Sequence, residues 1–79
     1  MFDYTNLERG LVCAWIDGDD HRAQSVASFL PLIIVYRLPA KYLQGLPTDT
    51  DPELLGFIAA LLAVRVKKEV ARHPELNKP

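Results

Sequence analysis

The sequence predicts an all-α domain, a small bundle of three main helices near residues 5–17, 20–37 and 51–73 with a short helical turn near 40–44. Three observations carry that expectation. Apolar residues recur at three- and four-residue spacing along most of the chain. Acids, hydroxyls, prolines and glycines stand where those periodic segments begin and end. Only Leu32–Leu38 has β-type composition, and a lone strand would find no partner elsewhere in the chain.

The first helix opens at Thr5-Asn6-Leu7-Glu8, which fits a capping box, with Asp3 as a competing cap. Tyr4, Leu7, Leu11, Ala14 and Trp15 then form one stripe, and Gly18 suits the left-handed residue that closes a helix. Asp19 or Asp20 caps the second helix. Its expected buried face is Val26, Phe29, Leu30, Ile33 and Tyr36, with Ala23 and Ile34 at the edge. Pro31 falls on the polar side with Gln24 and Ser28, where a helix can bend around a core. Pro39 is expected to stop this helix, leaving 40–44 as one further turn closed by Gly45. The last helix has Thr50 or Asp51 as cap, Pro52 in the first turn and Pro74 beyond its end.

That last helix carries the most information. At 100° per residue, Leu54, Leu55, Phe57, Ile58, Leu61, Leu62, Val64 and Val66 cover a broad arc, and Gly56, Ala59, Ala60 and Ala63 fill the opposite side. A helix that is apolar all round is normally covered all round. The bulky arc is expected to fill the core. The small flank, continued by Val66 and Val70, is expected to admit a second backbone at close range. A chain of 79 residues can hardly enclose one helix completely. A homodimer through Gly56, Ala59, Ala60, Ala63, Val66 and Val70 is therefore expected, two-fold pairs being the commonest oligomers.

Composition narrows the rest. One domain spans 1–79, with 74–79 as a short tail. Cys13 is the sole cysteine, so an internal disulfide is impossible, and the two histidines have no ligand partner at close metal spacing. No cofactor motif is present. Met1-Phe2-Asp3-Tyr4 lacks the basic-then-apolar order of an export signal, and no apolar run reaches the roughly 18 residues of a membrane span. A cytoplasmic protein is expected.

Asp17-Gly18-Asp19-Asp20-His21 is the one cluster with a chemical look, and helix capping accounts for it; Asp49, Asp51 and Glu53 likewise precede a helix. No arrangement around Cys13 or the serines marks a nucleophile, so the chain is not expected to be an enzyme. Residues 1–53 hold eight acids and four bases, net −4, while 54–79 hold two acids and five bases, net +3. Arg65, Lys67, Lys68, Arg72 and Lys78 make the C-terminal quarter basic. The expected work is protein binding, as a small adaptor or inhibitor of a larger protein. The alternative is a dimeric nucleic-acid-binding regulator touching phosphates through Arg65, Lys67, Lys68 and Arg72.

Overall fold

Four α-helices follow one another in the computed structural model, which describes residues 3–77. They are α1 (Thr5–Asp17), α2 (Asp20–Ala27), α3 (Leu32–Gln44) and α4 (Pro52–Ala71), followed by a 3-10 turn at Pro74–Asn77. No strand occurs among the described residues, so Leu32–Leu38 is helical. Within the expected 74–79 tail, the first four residues form the 3-10 turn; Lys78 and Pro79, like Met1 and Phe2, lie outside the described residues.

Tyr4 is the N-cap residue of α1 and makes no side-chain cap bond, so the expected capping box does not form; Asp3, one residue earlier, serves the first helical N–H instead. The Thr5 backbone N–H and hydroxyl both donate to Asp3 Oδ1, at 2.9 and 2.5 Å, which holds the Asp3 carboxyl below its usual range. Glu8 is thereby free to leave its own helix and meet Lys41 of α3 at 2.8 Å. Gly18 closes α1 as expected, at φ 74°. Its N–H bonds to the Trp15 carbonyl and that of Asp19 to the Ala14 carbonyl, the paired bonds of a Schellman stop. Asp19 then caps α2 by accepting from the Arg22 N–H at 3.1 Å.

The expected 20–37 helix is two helices. Leu30 precedes a proline and so is pushed out of the helical region. Pro31, at φ −57° and ψ 144°, is the N-cap of α3 and not a residue within a bent helix. Its missing N–H would have served the Ala27 carbonyl four residues back. His73 takes over that duty: its Nε2 lies 3.1 Å from the Ala27 oxygen and 2.8 Å from that of Leu30. The Glu75 backbone N–H donates to His73 Nδ1, so the proton sits on Nε2 and points at the two carbonyls. Glu75 also accepts from the Leu32 N–H at the bare start of α3. Residues 73–75 thus staple both sides of the corner that Pro31 creates.

This break resets the helical phase. Phe29, Ile33 and Tyr36, expected inside, are exposed, and Val35 and Leu38 are buried in their place. Pro39 does not stop the helix; α3 runs through it to Gln44. A helix-interior proline costs about 3 kcal/mol. Burial of Val35 and Leu38, with Ile34, Tyr42 and Leu43 packed beside them, offsets it.

The core gathers Leu11, Val12, Ala14 and Trp15 from α1, Ala23 and Ala27 from α2, Leu30 from the corner, Val35 and Leu38 from α3, and Leu62 from α4. Each large side chain among them contributes about 1.5–3 kcal/mol on burial. Asp51 caps α4 by accepting from the Glu53 N–H at 3.0 Å, and Pro52 sits in the first turn. The helix ends at Ala71, two residues short of the expected His73.

Candidate interaction surface

The C-terminal half of α4 is fixed by charge. Glu69 is only 2 % exposed, on the side of the helix that also carries Leu62. Arg72, one turn on, bonds it through Nε and Nη2 and bonds Asp20 of α2 through Nη1 and Nη2 at 3.0 and 3.1 Å. One planar guanidinium therefore serves two carboxylates in bidentate fashion, which an ammonium cannot do. Lys68 adds a third cation-carboxylate contact, 3.1 Å from Asp20. These bonds, Arg72 first and Lys68 second, lower the Asp20 carboxyl to about 2. The sequence marked Asp20 as a cap; its partnership with α4 depends on a contact across 52 residues of chain and had no local signal.

The N-terminal half of α4 is apolar and open. Leu54, Phe57 and Val64, expected in the core, are 51, 69 and 67 % exposed, and Leu55 also reaches solvent. Ile58 and Leu61 are half-buried, and Leu62 alone of the bulky arc is fully covered. The chain is too short to wrap this half: α1, α2 and α3 all reach α4, yet Leu54, Phe57 and Val64 stay open to water. Elongation follows, with extents of 44 × 28 × 18 Å. The radius of gyration is 12.7 Å, against about 11.6 Å for a compact domain of this length.

Of the residues expected at a dimer contact, Gly56, Ala60 and Ala63 are exposed and Ala59 is half-buried. Val66 and Val70 pack against the chain's own core. The six do not form one open face, because the stripe they trace turns inward at its second half.

No protein-family model, curated protein or solved structure matches the chain. Its surface must be read from its own chemistry.

Among the four expected phosphate contacts, Lys68 and Arg72 are engaged by Asp20 and Glu69, and Arg65 is half-buried with its Nε buried and unpartnered among the described residues. Of the four, Lys67 alone stands exposed without an ion pair among the described residues. A second apolar area lies at the α2–α3 corner, where Phe29, Ile33 and Tyr36 are 71, 54 and 67 % exposed. A groove of about 370 Å³ runs from Ile33 and Tyr36 to Val70 and Glu75. A larger one, about 530 Å³, separates α1 from α3; Cys13, Ile16, Leu38 and Tyr42 line it, with Glu8 and Lys41 at its side.

Cys13 is exposed in that groove. His21 is exposed on α2, and both ring nitrogens of His73 are committed to backbone groups. Among the described residues no group of three His, Cys, Asp or Glu is placed to hold a metal ion, and no helix is long and apolar enough to cross a membrane.

Proposed function

We propose that the chain is a small protein-binding module, an adaptor or inhibitor that docks on a larger protein and works as a homodimer. One observation carries this reading: Phe29, Ile33, Tyr36, Leu54, Phe57 and Val64 each leave more than half of their surface in water. Large apolar side chains grouped in this way mark sites that a partner covers. The two groups sit on different elements, which leaves one for a second copy and one for a target.

The nucleic-acid alternative draws less support. Two of its four cations are engaged within the fold, and removing them from Asp20 and Glu69 would leave a carboxylate buried without compensation.

Affinity capture from cell extract tests the reading, using the tagged chain and its Tyr36→Asp variant with and without nuclease. A protein target retained by the native chain after nuclease, and lost by Tyr36→Asp, is expected. Capture that disappears with nuclease, or that Tyr36→Asp leaves untouched, would count against it.

A further inference from the structure

We infer that the partner of α4 is α4 of a second copy, antiparallel, along the seam Leu54-Phe57-Leu61-Val64. This rests on the homodimer reading above and names its surface and orientation, which differ from the small flank that the sequence singled out.

Leu54, Phe57, Leu61 and Val64 are spaced three, four and three residues apart, the repeat of a two-helix seam. All but Leu61 are more than half exposed. The set reads the same in both directions about residue 59. Turning a second helix end over end about that point sets Leu54 against Val64 and Phe57 against Leu61, so each large side chain meets a complementary one. Ala60 falls beside its own copy at the edge of the seam, where a small side chain lets two helices reach the 8–10 Å axial separation of packed pairs.

Charge chooses the direction. Glu53 and Lys67, one step before Leu54 and three beyond Val64, border the seam on the same edge as Ala60; both are exposed, and neither has an ion pair among the described residues. In the antiparallel pair, Glu53 of each copy stands beside Lys67 of the other. A parallel pair would gather the acids of both copies at one end and the lysines at the other. Area supports pairing itself, in either direction. The chain exposes 5656 Å², roughly 800 Å² more than a compact 8.9 kDa monomer, and a standard interface covers about 800 Å² on each partner.

Sedimentation equilibrium on the purified chain tests the seam with no target present, so its result is separate from the capture experiment. Twice the chain mass at tens of micromolar is expected. Phe57→Glu should raise the dissociation constant at least tenfold with helix content unchanged by circular dichroism, because Phe57 is 69 % exposed and stands outside the packed core. Glu53→Lys and Lys67→Glu should each weaken association roughly fivefold, and the double exchange should restore it. In a Cys13→Ser background, Leu54→Cys/Val64→Cys should cross-link copies on oxidation while Leu54→Cys alone does not. A monomer, or a dimer indifferent to Phe57→Glu, overturns the seam. Self-cross-linking of Leu54→Cys, or no rescue by the double exchange, overturns the orientation.

Discussion

In the C-terminal half of α4 a glutamate is only 2 % exposed; in the N-terminal half a phenylalanine is 69 % exposed. One helix thus reverses the usual sorting of residues twice within four turns. Glu69 is inside because Arg72 reaches it with two bonds and reaches on to the half-exposed Asp20, so the one buried carboxylate is met in bidentate fashion. Phe57 is outside because the rest of the chain is too small to come round to it. The difference teaches that burial along this helix follows the available partners. Apolar character decides only which surface wants one.

The largest expected effect tests the charged half. Arg72→Ala leaves Glu69 buried without its cation and should cost about 3–5 kcal/mol, read as a drop in urea midpoint. A loss below 1 kcal/mol would mean that the network is ornamental, and the contrast between the halves would collapse.

His73→Ala comes next. It removes the donor to the Ala27 and Leu30 carbonyls and leaves a small cavity, for an expected loss of about 2–3 kcal/mol. The conservative His73→Asn should recover part of that if donation to the corner is what matters.

A smaller effect follows pH. The folded Asp20 carboxyl is lowered to about 2 from an ordinary 3.8. Its contribution is therefore complete above the unfolded value and fades as pH falls from near 4 towards 2. The melting-temperature difference between the native chain and Asp20→Asn should be constant above pH 5 and shrink across that window. A difference that persists undiminished at pH 2 would assign the effect to something other than the ionised carboxylate.

The smallest effect belongs to the open half. At sub-micromolar concentration, where self-association is minimal, Phe57→Ser should change the unfolding free energy by no more than about 0.5 kcal/mol. A core-sized loss there would show Phe57 packed within the monomer and break the comparison from the other side.

Much of the fold was legible locally. The α1 stripe, the glycine stop at Gly18, the α2 cap (Asp19, of Asp19 or Asp20) and the α4 start (Asp51, of Thr50 or Asp51, with Pro52) depend on neighbours within five residues and form at positions the residues allow. The α2–α3 corner was not legible. Pro31 can bend a helix or break one, and the broken corner is held by a donor from His73, more than forty residues away. That break then rotated Ile33 and Tyr36 out and Val35 and Leu38 in, an error of phase that no periodicity within 20–37 exposes. Pro39 misled for the same reason: its local cost was plain, and the core contacts that offset it were not.

The candidate surface divides in the same way. An excess of apolar residues on the last helix was readable, and with it the expectation that the chain has more to cover than it can cover itself. Which flank stays open was decided by the position of Leu62 and Glu69 against the core, because a helix has only one side to give to its own bundle. The sequence alone determined the all-helical character, the Gly18 stop, the caps of α2 and α4 and the surplus of apolar surface, since these arise from short-range sterics, backbone bonds and composition. The tertiary structure decided the corner, the ion network that joins Asp20 to Glu69 through Arg72, and the face left to solvent, since each depends on groups far apart in the chain meeting in space.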